Sequence, residues 1–167
     1  MWEIILAFPV MVFSAIIQVT VFGKIHLLNG SADIILLIII AWSLHENTRY
    51  SIVWTMVGAL VMTYLSAMPM YGYMFIYFIM WLFIQFLKKR VWQMPVILML
   101  FLSMFGSFFE AFMTFAILKF QGTSIPLDTA LVQVVIPSLI MNMILAVPVY
   151  GIFTDIANTI YYREYDL

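Results

Sequence analysis

The chain of 167 residues contains no cysteine, which excludes disulfide bonds, thiolate catalysis and cysteine-ligated metal sites. Charged residues are scarce as well, at 9% of the sequence, and the net charge is −1. This small amount of charge leaves no basic surface for nucleic acid and too few polar side chains for a soluble domain. What remains is apolar, because 66% of the residues are hydrophobic, against roughly 45–50% in soluble domains.

The apolar residues form six continuous runs, and nearly all charges lie at the joints between them. Because a bilayer offers no water to backbone groups, such runs must be helices, and their lack of alternation excludes a β-barrel. We therefore predict an all-α integral membrane protein with one domain, residues 1–167, and six transmembrane helices in a compact bundle. The predicted spans are 4–22, 32–44, 51–68, 72–87, 94–118 and 131–154.

The second predicted span is short. Thirteen residues reach only about 20 Å, so this span requires a thin bilayer, an extension through Leu27 and Leu28, or a re-entrant path. The first span begins without a positively charged region or a cleavage site, which favours a retained helix over a removed signal peptide.

The positions of the cationic residues predict an orientation. Arg49, the run Lys88-Lys89-Arg90 and Arg163 fall on one side of the predicted spans. Only Lys24 and Lys119 fall on the other side. The positive-inside rule therefore places both termini in the cytoplasm.

Two spans carry stripes of small and polar residues at helical spacing. Small residues on one face let helices approach closely in lipid, where no hydrophobic drive brings helices together. The stripes therefore predict either internal packing or a docking face for a partner's helix. Their members are Thr55, Gly58, Ala59, Thr63 and Ala67 in the third span and Ser103, Gly106, Ser107, Glu110 and Thr114 in the fifth.

Glu110 is the one charge well inside an apolar run, and a carboxylate at the bilayer centre costs about 2.5–3.5 kcal/mol on insertion scales. Its distance along the fifth span places it toward the outer leaflet, at the depth of Gln18 and Asp33. We expect these three residues to form an outer polar cluster. Glu110 then either serves a polar site or a partner protein, or is neutralised within the chain by Lys24, Lys119 or Gln18.

The fourth and sixth spans carry further patterned residues. Pro137 and Pro148 lie three turns apart, and each removes a helix hydrogen bond and favours a kink. Asn142, between them, is a candidate partner for a freed carbonyl or a neighbouring helix. A stripe at four-residue spacing in the fourth span predicts core packing or an interfacial aromatic belt; it consists of Tyr73, Tyr77, Trp81 and Gln85.

The sequence lacks the residue combinations that common catalytic sites require. Asp33 and Asp155 fall on opposite sides, so they cannot form the paired carboxylates of an intramembrane aspartyl protease. His26 and His45 also lie in joints on opposite sides, which argues against a serine–histidine hydrolase. No H-E-x-x-H, G-x-S-x-G or glycine-rich phosphate loop occurs. We therefore expect a protein that is not an enzyme and that binds no metal or cofactor.

Three stretches of the chain resemble the family of the rod shape-determining protein MreD. They are residues 18–22, the pair Ala32-Asp33 with the apolar run up to Trp42, and residues 137–150; Gly58, Pro69 and Gly72 fit as well. Order, length and number of spans match over nearly the whole chain. Ala32 departs from the family, which usually has proline there. Tyr64 stands where an aspartate is expected, so any role of that acid is in doubt here.

The resemblance implies a non-enzymatic scaffold of the bacterial cell-elongation machinery in the inner membrane, supporting lateral peptidoglycan synthesis. Its implied partner is MreC, which has one membrane helix and a periplasmic region. Through MreC the complex would reach the elongation transpeptidase, its SEDS-type glycosyltransferase and MreB filaments.

Two alternatives remain open. MreD is similar in fold to the substrate-binding S components of energy-coupling-factor transporters, so an S component for a vitamin or metal ion is the first; the cluster of Gln18, Asp33 and Glu110 favours it. Handling of a lipid-linked precursor is the second, suggested by the aromatic fourth span and the basic joint Lys88-Lys89-Arg90.

Overall fold

A computed structural model describes residues 2–22, 24, 30–66, 68–90, 94–122 and 130–165. The prediction of an all-α bundle of six helices is confirmed for these residues, which contain no β-strand. Ala67, His26, Leu27 and Leu28 lie outside the described residues. The helices are α1 (Trp2–Ile17), α2 (Ile34–Leu44), α3 (Ser51–Leu65), α4 (Met70–Lys88), α5 (Pro95–Phe120) and α6 (Ile136–Tyr165).

Two short π-helical turns extend this arrangement. The first, Gln18–Phe22, continues α1, and the second, Leu131–Val135, leads into α6. α6 also runs past the predicted end of the sixth span at residue 154, because the polar residues that follow include no helix breaker and Ala157 and Tyr161 remain buried. α6 continues through Pro148 without interruption.

Four helical segments in the described part of the chain are long and apolar enough to cross a membrane: Glu3–Phe22, Tyr71–Lys88, Pro95–Phe120 and Leu131–Tyr161. α2 and α3 are shorter, with 11 and 15 residues. At 1.5 Å per residue they reach about 16 and 22 Å, against about 30 Å of hydrocarbon. Four of the six helices are therefore long enough to cross the hydrocarbon completely, as expected, whereas α2 and α3 are not.

α2 lies at the centre of the bundle. Every residue from Ile34 to Leu44 is buried, and the helix contacts all five others, most extensively α6. Its sequence is apolar on every side, as a helix without a solvent-facing surface requires. A helix enclosed by protein does not have to match the thickness of the bilayer. Its short length therefore needs neither a thin bilayer nor a re-entrant path.

The other helices surround α2 in the order α1, α3, α4, α5, α6, each packed on the next. Glycines allow two of them to approach closely. A Cβ atom added at Gly58 of α3 would lie 3.0 Å from Ile35 Cγ2, and one added at Gly106 of α5 would lie 3.3 Å from Leu36 Cδ2. The small-residue stripes of α3 and α5 thus face the central helix.

Candidate functional site

Asp33 ties the N-terminal end of α2 to the helices around it. Its Oδ1 accepts a hydrogen bond from the Leu36 N–H at 3.0 Å, which makes it the N-cap of α2. Its Oδ2 accepts one from the Tyr77 hydroxyl at 2.7 Å, and its N–H donates to Asn142 Oδ1 at 2.8 Å. Because Asp33 is only 6% exposed, these bonds replace the water that its carboxylate has lost.

Gln18 and Asn142 extend this network to α1 and α5. Gln18 Oε1 accepts from the Ile35 N–H at 3.2 Å, while its amide group donates to Met62 Sδ, a weak acceptor, at 3.6 Å. Asn142 Nδ2 donates to Ser107 Oγ at 2.7 Å. The N-terminal end of α2 is therefore joined by side-chain hydrogen bonds to the end of α1 and to α4, α5 and α6.

Glu110, on α5, lies beside Asp33, close enough for their two carboxyl groups to share a hydrogen bond. A hydrogen bond between two carboxyl groups needs a proton on one of them, so the pair carries one negative charge instead of two. Lys24 and Lys119 are both exposed, and Gln18 is bonded elsewhere. The partner of Glu110 thus differs from all three that the sequence suggested.

The carboxyl pair changes the argument against an aspartyl protease. That argument compared Asp33 with Asp155, which is indeed at the far end of α6, but Glu110 supplies a second acid beside Asp33. Both oxygens of Asp33 accept protein hydrogen bonds, from the Leu36 N–H and the Tyr77 hydroxyl. The structure thus places two acids side by side, a pairing that the comparison of Asp33 with Asp155 did not consider.

A cavity of about 520 Å³ lies beside this network, between α5 and the start of α6. Gln18, Asp33, Glu110 and Asn142 contribute polar groups to its lining, so the predicted outer cluster is brought together there. Its volume falls within the range of small-molecule sites, about 300–1,000 Å³. Both π-helical turns also line it, and such turns are frequent at functional sites.

The remaining walls of the cavity are apolar and aromatic. They include Phe108, Phe112 and Phe115 from α5 and Leu131 from the turn before α6. Phe108, Phe112 and Leu131 are more than 40% exposed, so the cavity opens to the outside of the bundle between α5 and α6.

The other predicted site residues lie inside the bundle. Thr55, Gly58 and Ala59 of α3 and Ser103, Gly106 and Ser107 of α5 are buried, and Thr63 is half-buried. Of the two alternatives for these stripes, the burial of these residues favours internal packing over a docking face for a partner's helix. Ala67 lies outside the described residues. Pro137 is buried at the start of α6, and Pro148 is exposed within it.

The far end of the bundle holds a second network, which sequence reasoning missed. Glu3 Oε1 accepts from Trp42 Nε1 at 3.0 Å and from the Tyr50 N–H at 3.1 Å. Trp54 Nε1 donates to the Glu3 carbonyl at 3.1 Å, and the rings of Trp42 and Trp54 stack at 4.0 Å. An acid in the first turn of an apolar helix was the only sequence signal for this cluster.

Lys88 also has a role that its place in the basic joint did not reveal. Its Nζ donates to the Ser43 carbonyl at 3.0 Å and to the His45 carbonyl, at the C-terminal end of α2. A cation there interacts favourably with the helix dipole. Both ends of the central helix are therefore held by ionisable side chains, Asp33 at one and Lys88 at the other.

No group of three or more His, Asp or Glu side chains comes together as a metal site within the described ranges. In comparisons with known proteins, no family model, no curated protein and no solved structure matches the chain significantly. The resemblance found in the sequence therefore stays a prediction.

Proposed function

We propose that the chain is a multi-pass scaffold of the bacterial inner membrane, of the MreD type, that binds MreC and supports lateral peptidoglycan synthesis. One observation carries the proposal. Gln18, Asp33 and Asn142, which belong to the three stretches that resemble the family, meet in one hydrogen-bonded network, although Asp33 and Asn142 are 109 positions apart. If the three stretches resembled the family only because all are apolar, their polar residues would not be expected to meet in one network.

The departure at Tyr64 fits this function. Tyr64 is 88% exposed on α3, whereas the network around Asp33 is built from buried and half-buried side chains. An aspartate at this position is therefore not needed to build the network.

A partner's helix in this proposal binds an outward face, because the small-residue stripes are occupied by α2. A groove of about 560 Å³ runs between α1 and α3 and is lined almost wholly by apolar side chains, including Phe8, Val12, Val57 and Tyr64. It offers the MreC membrane helix an apolar surface of the kind that transmembrane helices pack against.

Co-expression of the tagged chain with MreC, followed by affinity purification in detergent, tests the scaffold function. We expect MreC to co-elute, and a photo-crosslinking residue at Tyr64 to capture it. The same crosslinker at Phe101, exposed on α5, should not. Val12→Trp, which fills the groove, should reduce the recovered MreC several-fold, whereas Phe101→Trp should not. If MreC is absent from the eluate of the unaltered chain, the scaffold function is wrong.

The cavity favours a second candidate function, that of a substrate-binding S component. Such a protein should retain a small molecule during purification or be stabilised by one. Native mass spectrometry of the purified protein and thermal unfolding with a panel of vitamins and metal ions test this. Absence of both a retained ligand and any stabilisation would exclude it. Handling of a lipid-linked precursor gains less support, because Lys88 is already bonded to α2.

A further inference from the structure

We infer that the cavity beside Asp33 and Glu110 binds an apolar molecule that carries a single ammonium group. This goes beyond the scaffold function, and it gives the second candidate function a class of ligand.

The charge of the cavity sets the charge of its ligand. Asp33 and Glu110 are the only formally charged side chains among the described lining residues, which include no Lys, Arg or His. Two carboxyl groups side by side in an apolar surrounding are most stable with one proton between them, and the pair then presents one negative charge. A monocation balances this charge, whereas an anion would find no partner in the cavity.

Glu110 is the acid that a ligand can reach. Asp33 is buried and its oxygens accept from Leu36 and Tyr77, while Glu110 is half-buried beside it. Thr114 lies one turn further along α5 and also lines the cavity. An ammonium group has three donors, and these two neighbouring side chains offer acceptors for them.

The walls determine the rest of the molecule. Phe108, Phe112, Phe115 and Tyr73 line the cavity, and aromatic faces attract cations as well as apolar groups. A polar body would lose hydration against these walls without regaining hydrogen bonds. The opening between α5 and α6 admits an amphiphile from the side of the bundle.

Calorimetric titration of the full chain in lipid nanodiscs tests the inference, with 2-phenylethylamine as the probe. Its uncharged and anionic relatives, 2-phenylethanol and phenylacetate, serve as comparison ligands, and empty nanodiscs give the partitioning background. We expect saturable binding of the amine, about tenfold or more tighter than the alcohol, since a charge-assisted hydrogen bond is worth at least that factor. Phenylacetate should not bind.

Two variants locate the binding. Glu110→Gln should weaken amine binding by about tenfold or more while leaving the alcohol unaffected. Ala111→Trp fills the cavity while both carboxyl groups are retained and should abolish binding of both ligands. Their matched controls are Glu46→Gln, an exposed acid between α2 and α3, and Met104→Trp, an exposed position of α5 outside the cavity. Both controls should bind like the unaltered chain.

The inference is overturned if the amine does not bind saturably, if the alcohol binds as tightly, or if Glu110→Gln and Ala111→Trp both bind like the controls. Nanodiscs with and without phosphatidylethanolamine identify the source of the ammonium group. Competition by this lipid assigns it to a headgroup, and absence of competition assigns it to a free amine. Loss of MreC from the affinity eluate with amine binding intact would disprove only the scaffold function.

Discussion

Single side chains decide how the polar groups of this apolar chain are satisfied. The four-residue spacing in the fourth span indicated that Tyr73 and Tyr77 share a face, and both are buried. The spacing did not indicate that the Tyr77 hydroxyl meets Asp33, because that pairing depends on how two helices are placed. The sequence also did not predict Asp33 as the partner of Glu110. An acid is expected to pair with a base, and only the placement of α2 and α5 brings these two acids together.

The Tyr77–Asp33 hydrogen bond should contribute measurably to stability. Tyr77→Phe removes only the hydroxyl and leaves a buried carboxylate oxygen short of a donor, at an expected cost of about 1–3 kcal/mol. Tyr64→Phe makes the same chemical change at an 88% exposed position and should cost nothing measurable. Reversible unfolding in mixed detergent micelles measures both. Equal stability of the two variants would contradict the bond's contribution.

Asp33 should show coupling to Tyr77 in a double-mutant cycle. Asp33→Asn keeps an oxygen that can cap α2 but replaces the one that accepts from Tyr77 by an amide NH₂ group, so the double variant with Tyr77→Phe should lose less than the sum of the two single losses. A coupling of about 0.5–3 kcal/mol is expected for residues in one network. Additive losses would show that the two side chains act separately.

At the scale of elements, α2 is the helix whose environment was hardest to predict. Its run Ile34–Leu44 is apolar on all sides, a property shared by helices surrounded by lipid and helices surrounded by protein. The stripes on α3 and α5 did predict close approach of other helices. The stripes could not show that the approaching helix is α2. Small residues allow a short distance between two helices but do not determine which helix lies there.

Glycine at position 58 should be required for α2 to fit. Gly58→Val places a Cβ 3.0 Å from Ile35 Cγ2 and Ile39 Cδ1 and adds two further methyl groups, so we expect a loss of about 1–3 kcal/mol or more. Gly151→Ala on α6 meets no atom within 4 Å and should stabilise by about 0.5–1 kcal/mol through helix propensity. Unfolding of the two variants in micelles measures this contrast. A harmless Gly58→Val would contradict the close packing of α3 on α2.

The C-terminal end of α2 gives a parallel test. Lys88→Met removes the cation that binds the Ser43 and His45 carbonyls and should cost about 1.5–3 kcal/mol, as for hydrogen bonds to charged groups. Lys89→Met removes the same charge from an exposed neighbour and should change stability by less than about 0.5 kcal/mol. Similar losses of stability in the two variants would show that Lys88 contributes only as one of the positive charges between α4 and α5, and not through its bonds to α2.

At the scale of the whole molecule, the six apolar runs predicted the number and order of the helices. Charges at the joints marked where helices end, since each charge in lipid is costly. The enclosure of α2 and the opening between α5 and α6 did not follow, because hydropathy measures how apolar a segment is and not what surrounds it.

The absence of cysteine makes the proposed orientation directly testable. A single cysteine at Gln121, exposed after α5, should react in intact cells with a maleimide that cannot cross the membrane. Cysteines introduced by Glu46→Cys and Lys89→Cys, at exposed positions of the opposite end, should react only after lysis. Labelling of the second pair in intact cells would reverse the assigned orientation.

The enclosure of α2 has a consequence for how the protein is made. The second helix to leave the ribosome is the one that all the others must cover, and Asn142, which accepts from the N–H of the N-cap residue, is synthesised 109 residues after Asp33. At 5–20 residues per second this interval is roughly 5–20 s. During that time the backbone N–H of Asp33 lacks its acceptor within the insertion machinery. A product that terminates before α6 would therefore remain a target for membrane quality-control proteases.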